Sequence, residues 1–323
     1  MRELTVKKND SGQRLDKFLS KALPSLPPAL LYKSIRLKKI KVNRRRAEGA
    51  QILCEGDTLQ LFLAEEFFTK KTDSALARVT PRISVLYEDE NLLLLDKRPG
   101  VSVHEDEDGS GNTLLFHMQA YLYQKGEYDP DAEQSFAPAL CNRIDRNTGG
   151  IVIAAKNAEA LRVMNQKIKN RELHKFYLCA VKGVPTPPAA TVTGYLLKNE
   201  KDKTVRIYDK NPPRGAKQIA TRYRTLAENN GTALLEVELL TGRTHQIRAH
   251  MAHIGHPLLG DGKYGVNRED RKQGYRYQAL YSYRLTFDFK EHGTCLDYLD
   301  GKTFSLSPAD IYFVTPFELK GKL

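Results

Sequence analysis

Arg143-Ile144-Asp145-Arg146 sets one carboxylate between two guanidiniums. Asn142 precedes it, the turn Asn147-Thr148-Gly149-Gly150 follows, and then comes the apolar run Ile151-Val152-Ile153-Ala154-Ala155. Its β-branched residues read as a strand. A carboxylate at a strand-edge turn among cations is either a reactive group or half of a structural ion pair. A second concentration of chemistry lies at Thr241-Gly242-Arg243-Thr244-His245-Gln246-Ile247-Arg248, with His250, His253 and His256 beyond it. Four histidines invite a metal reading. Their spacing lacks the acid of H-E-x-x-H, and on a helix they would be scattered round the surface, so no metal is expected. No G-x-x-x-x-G-K-[ST] loop occurs, so no nucleotide cofactor is expected either.

The elements that must position these groups belong to a chain of 323 residues, enough for two or three domains. It is 41% hydrophobic and 28% charged, an ordinary globular mix, with no apolar run long enough to cross a membrane. The start, Met1 to Lys8, lacks the apolar core of a secretory signal. Cys54, Cys141, Cys179 and Cys295 stand far apart, without a C-x-x-C pair, so a reducing cytoplasm is expected. The net charge of +12 points to a polyanionic partner.

That charge is uneven. Tyr32 to Arg46 holds Lys33, Arg36, Lys38, Lys39, Lys41, Arg44, Arg45 and Arg46 with no acid among them. Before it, Leu15 to Leu23 has apolar residues at helical spacing, broken by Pro24, Pro27 and Pro28. A second helical pattern carries Leu30, Leu31, Ser34 and Ile35 on one side. Ile40 to Asn43 and Thr58 to Leu63 read as strands, with Glu55-Gly56-Asp57 a turn. The segment 1–65 resembles the small RNA-binding domain named after ribosomal protein S-four, through Arg14-Leu15-Asp16-Lys17-Phe18-Leu19, Ile35-Arg36, Val42-Asn43 and Glu55-Gly56-Asp57. That family usually has glycine where this chain has Lys38, and often where it has Arg44. The resemblance implies that Lys33, Arg36, Lys38, Lys39, Lys41 and Arg44 contact RNA. Residues 66–82 lose periodicity and read as a linker.

A second domain is expected over 83–323. Ile83 to Tyr87 and Leu92 to Asp96 read as strands, Leu114 to Tyr123 as an amphipathic helix, and Lys125 to Pro138 as a polar loop. Three of its segments are similar to the RluA family of pseudouridine synthases, and the added basic module is similar to the RluC and RluD branch. Asn142-Arg143-Ile144-Asp145-Arg146-Asn147-Thr148-Gly149-Gly150 matches the pattern HRLDxxTSG. Lys175-Phe176-Tyr177 matches a K-x-Y strand. Thr241 to Ala252, continuing into Gly260-Asp261-Gly262-Lys263-Tyr264-Gly265, matches a long third motif. Two positions depart: Asn142 replaces the usual His and Gly149 the usual Ser.

The resemblance implies an α+β fold, a mixed and largely antiparallel sheet flanked by helices. It implies an isomerase that turns uridines of RNA into pseudouridine, with no cofactor. Asp145 would act as nucleophile on the sugar or as base at C2′. Arg248 would be its cation partner, which keeps a carboxylate ionised. Tyr177 would stack on the uracil. Arg143 would hold the opened strand or take the flipped uridine's place, and Arg243 would contact phosphate. Large-subunit ribosomal RNA is the expected substrate, with a monomeric enzyme and no membrane association; a tRNA substrate is the alternative. Two rivals differ in class. One is a non-catalytic RNA-binding or ribosome-assembly protein, which would more often have lost Asp145. The other is a nucleoside glycosidase, which needs a second carboxylate, for which Asp261 is the candidate.

Overall fold

The structure, a computed structural model, describes residues 1–68, 75–105 and 111–319. Its chain divides into two compact units. The first comprises residues 1–82, 115–139 and 155–162; the second comprises 83–114, 140–154 and 163–323.

The first unit is built on a four-stranded antiparallel sheet. Its strands are β1 (Arg2–Thr5), β2 (Ile40–Val42), β3 (Arg45–Arg46) and β4 (Thr58–Leu61), in the order β1-β4-β2-β3. Helix α1 (Leu15–Ala22) buries Leu15, Phe18, Leu19 and Ala22, the i, i+3, i+4, i+7 stripe that its sequence carries. Helix α2 (Pro28–Arg36) opens on proline, whose fixed φ suits a first turn, and buries Leu31, Ser34 and Ile35. These residues join Ile40, Leu59 and Leu61 in one apolar core. The short β1 has no periodicity signal and was not expected.

Two of the cationic positions have left-handed backbone. Lys38 (φ 59°) follows α2, where the Lys39 N–H reaches the Ser34 carbonyl and the Lys38 N–H the Ile35 carbonyl. Those paired bonds are the Schellman ending that normally selects glycine. Asn43 (φ 50°) and Arg44 (φ 64°) form the two-residue turn between β2 and β3, where Asn-Gly is favoured. The glycine geometry is therefore kept at Lys38 and Arg44 with a β-carbon present, at a cost of about 1–2 kcal/mol each.

The first unit reaches further along the chain than the expected boundary at residue 65. Buried Asp10 accepts from the Ser135 N–H (3.1 Å) and hydroxyl (2.5 Å), and the Arg162 guanidinium donates to the Ser11 carbonyl (2.8 Å). These loop-to-loop polar contacts leave no periodic trace. The expected linker is also partly ordered: a 3-10 turn covers Glu65–Phe68, and α3 covers Ala75–Arg78. Phe67 and Phe68 pack on the unit's core, which explains the turn. Thr69 to Ser74 of that linker lie outside the described residues.

The large sheet has eleven strands: β5 (Val85–Glu88), β6 (Leu92–Lys97), β7 (Ala139–Leu140), β8 (Gly149–Ala155), β9 (Leu173–Lys182), β10 (Ala189–Asn199), β11 (Thr204–Tyr208), β12 (Lys217–Asn229), β13 (Thr232–Leu239), β14 (Leu280–Phe287) and β15 (Thr303–Ser305). The order is β11-β10-β12-β13-β9-β14-β8-β6-β5, with β15 on β14 and β7 on β8. Strand β14 runs parallel to β8 and antiparallel to β9, so the sheet is mixed and largely antiparallel, as expected. Helices α4 (Leu114–Gln124), α5 (Ala158–Lys169), α6 (Gln246–His253) and α7 (Arg268–Lys272) complete the α+β fold. Ala249 of α6 packs with Leu196, Val205 and Ile219 of the strands. One line across three strands matters for the site. Ser282 of β14 is the register partner of Tyr177 on β9 and of Gly150 on β8.

Candidate active site

Asp145 lies in the loop between β7 and β8, and four local devices fix that loop. The Thr148 N–H donates to the Asp145 carbonyl (3.0 Å), closing a turn. The Asn142 side-chain carbonyl accepts from the Ile153 N–H (2.8 Å), beside the Cys141 N–H bond to the Ile153 carbonyl (2.7 Å). The departure at 142 therefore supplies a backbone clasp. Lys97, buried at 1% exposure, donates to the carbonyls of Arg98 (3.1 Å), Val101 (2.8 Å) and Arg146 (2.9 Å). Burial pulls Lys97 down to about 7, against the charges of Asp145 and Asp96, which work the other way. Three carbonyls match the three N–H bonds of an ammonium.

The fourth device explains the departure at 149. A β-carbon on Gly149 would lie 2.2 Å from the Tyr281 ring, and one on Gly150 would lie 2.1 Å from the Ser282 carbonyl. The Tyr281 hydroxyl donates to Asp96 (2.8 Å), which anchors the ring in that space. Serine at 149 thus overpacks the strand pair, a change that typically costs about 1–3 kcal/mol. Gly149→Ser is expected to lower the melting temperature by several degrees. The loss should shrink in a Tyr281→Ala background; equal losses in both backgrounds, measured by calorimetry, would refute this packing account.

Arg248 comes from α6, which begins at Gln246. Its Nη1 donates to Asp145 Oδ2 (2.8 Å). Its Nε and Nη2 form a bidentate pair with Asp261 (2.7 and 2.9 Å). Asp261 also accepts from the N–H groups of Lys263 (2.9 Å) and Tyr264 (3.3 Å). Burial would raise the Asp261 pKa, but the Arg248 guanidinium outweighs it and holds the carboxyl below its usual range. Asp261 is fully buried and paired with Arg248, so it is not placed as the water-activating second carboxylate that a glycosidase needs.

Tyr264 completes the cradle. Its ring faces the Arg248 guanidinium at 5.3 Å. Its hydroxyl accepts from the Val205 N–H (3.0 Å) and shares a hydrogen bond with His245 Nδ1 (2.8 Å). Burial lowers the His245 pKa. Its Nε2 stands 3.8 Å from Asp145 Oδ2. Both Arg248 and His245 thus approach Oδ2, and no described residue hydrogen-bonds Oδ1.

Tyr177 of β9 is 6% exposed. Burial pushes its phenol up to about 12; a Ser282 hydrogen bond opposes this and the Asp145 charge adds to it. Asp145, Tyr177, Arg248, Arg143, Arg243 and Lys175 all line one cleft of about 550 Å³. Arg143 and Arg243 are exposed at it. The cations Lys33, Arg36, Lys38, Lys39, Lys41 and Arg44 stand on the first unit and do not line this cleft. The four histidines are separately engaged: His245 as above, His250 with Thr221 (2.9 Å), His253 with Asp209 (2.9 Å) and His256 with the Lys182 carbonyl (2.9 Å). Among the described residues no group of three or more His, Cys, Asp or Glu side chains could hold a metal ion.

A family model described as RNA pseudouridylate synthase matches residues 91–253. The chain belongs to the RNA pseudouridylate synthase family. This synthase is 31% identical over 271 residues to the ribosomal large subunit pseudouridine synthase C of Vibrio parahaemolyticus, spanning 82% of this chain and 80% of that one. It is 31% identical over 291 residues to an uncharacterized RNA pseudouridine synthase of Mycoplasma genitalium, spanning 87% and 88%. The solved structure of human RNA pseudouridylate synthase domain containing 4 shares the fold, with a TM-score of 0.55 at 22% identity over 72% of this chain and 90% of that one. The synthase is an isomerase acting on RNA. Sequence reasoning gave Asp261 only a rival's role and gave Tyr264 none. The sole signal for either was their place in the Gly260 to Gly265 stretch of the third motif.

Proposed function

We propose that this synthase isomerises uridines of large-subunit ribosomal RNA, as a cytoplasmic monomer, with Asp145 as its catalytic carboxylate. The carrying observation is a carboxylate in a cationic cleft, bound at 2.8 Å by a buried guanidinium. The reaction breaks the bond from uracil N1 to ribose C1′, turns the base and joins C5 to C1′; a proton leaves C5 and one is gained at N1. No electrons are exchanged with a second molecule. Asp145 acts through Oδ1, either on C1′ as nucleophile or on the C2′ proton as base. Arg248 holds Oδ2. Tyr177 gives the turning uracil a flat apolar face, and such stacking typically contributes about 1–3 kcal/mol per base. Arg143 and Arg243 contact the opened strand and its phosphates. The names of the relatives, ribosomal large subunit pseudouridine synthase C, support ribosomal RNA as the substrate class.

Pseudouridine mapping across total RNA from cells with and without this gene tests the reading. Sites missing only from large-subunit RNA support it; sites missing only from tRNA refute the substrate class. The cationic face of the first unit serves as a second RNA-binding surface. Removing residues 1–65 would strip partners from 115–139 and 155–162, so substitution is the cleaner probe. The triple change Lys33→Gln, Arg36→Gln, Lys39→Gln is expected to weaken RNA binding. It should also flatten the slope of log affinity against log salt by about 0.7–0.9 for each phosphate no longer neutralised. An unchanged slope would mean that this face does not hold RNA.

A further inference from the structure

Six cations line the cleft: Arg143, Lys169, Arg171, Lys175, Arg243 and Arg248. Its lining contains a single carboxylate, Asp145, and that one is bound to Arg248. Arg171 has the least comfortable backbone of the six. It stands just past α5 with φ 61°. The Glu172 N–H reaches the Lys167 carbonyl (3.0 Å) and the Arg171 N–H the Ile168 carbonyl (3.2 Å). This is again the Schellman ending, and Arg171 occupies the position that glycine fills at no steric cost.

Nothing in the described fold repays that placement. The neighbouring acid is already engaged: Glu172 binds the Lys167 ammonium (2.9 Å), the Asn170 amide (2.9 Å) and the Lys290 N–H (3.1 Å). No described carboxylate pairs with Arg171, whose side chain is exposed at the cleft. The helix end has other cations, Lys167 and Lys169, in its last turn to meet its dipole. An arginine held in left-handed backbone, unpaired and at the rim of a cationic cleft, is poised for a ligand with negative oxygens.

We propose that Arg171 is a substrate-binding residue that grips a phosphate of the RNA strand entering the cleft, and that the protein gives up stability to place it there. The planar guanidinium suits a phosphate oxygen pair. The proposal rests on the cleft being the catalytic site.

Removing the side chain should therefore move stability and binding in opposite directions. Arg171→Gly and Arg171→Asn keep the backbone posture and lose the charge. Both are expected to raise the melting temperature by about 1–3 °C. Both should raise KM about 3–10-fold on in vitro transcribed large-subunit RNA, with kcat within about twofold. Binding of a labelled RNA hairpin across a salt series should lose about 0.7–0.9 from its log–log slope. Arg171→Lys should keep the slope and gain no stability. A wild-type slope in both neutral variants, or a lowered melting temperature in both, overturns the inference. Asp145→Asn separates the two levels. If that variant turns over RNA, the cleft reading itself fails. If it is inactive while Arg171→Gly binds like wild type, only the role of Arg171 fails.

Discussion

Asp145→Asn should abolish pseudouridine formation, with turnover down by about 10⁴-fold or more, the scale on which loss of a reacting group acts. The substitution keeps the shape of the side chain. Its amide oxygen can still accept from Arg248 Nη1, which now lies 2.8 Å from Oδ2. What disappears is the lone pair and charge at Oδ1, on either mechanism. RNA affinity should stay within a few-fold of wild type, since one negative charge has been removed from a cleft lined by six cations. A tritium-release assay on C5-labelled RNA reads turnover, and filter binding reads affinity. Wild-type turnover would remove Asp145 from the chemistry; weakened affinity with retained turnover would make it a binding residue.

The second large effect should come from a residue that touches no substrate. Asp261 has 0% of its side chain exposed and Arg248 8%, and the two share a bidentate pair. Breaking a buried pair by neutralising one partner typically costs about 3–5 kcal/mol. Asp261→Asn should therefore lower the melting temperature by roughly 6–15 °C. It should also let the guanidinium turn away from Asp145, and a misplacement of about 1 Å can cost ~10²-fold in rate. The loss is expected in kcat with KM little changed, because Asp145 and not the RNA is what Arg248 holds. A melting temperature and kcat both within error of wild type would refute this support role. The pH dependence has a definite sign. The folded-state pKa of Asp261 lies below its unfolded value, because the guanidinium overcomes the burial that would raise it. Its stabilisation is then fully present above the unfolded value, about 3.9. It is lost as pH falls through the lower folded value. Acid unfolding of Asp261→Asn should lack this component.

Asp145, Tyr177 and Arg248 were legible in the sequence through three motifs that resemble a known family, since alone they would read as an ion pair and a core residue. The support beneath them was not. Lys97 acts on three backbone carbonyls, and carbonyls have no sequence identity. Asp261 meets Arg248 thirteen residues on, a separation with no helical or strand period. Tyr264 matters by joining the Val205 N–H and His245 Nδ1 through one hydroxyl, partners 59 and 19 residues away. Strands β10 to β12 were unread because most of their residues are exposed or half-buried; β10 alternates exposed and intermediate positions along most of its length. The reach of the first unit into 115–139 rests on polar loop interactions such as Asp10 to Ser135.

Gly150, Ser282 and Tyr177 lie on one line across three adjacent strands, with no room for a β-carbon at its glycine end. The span from the Asp145 loop to the Tyr177 ring is thus a ruler ruled in peptide units. Drift in evolution cannot stretch it by half a step: a strand moves by a whole residue, and a single-residue slip turns Tyr177 to the opposite face. On the proposed reading, a change in which uridine is accepted is then expected to arise at the mouth of the cleft, while the span between the Asp145 loop and Tyr177 stays constant.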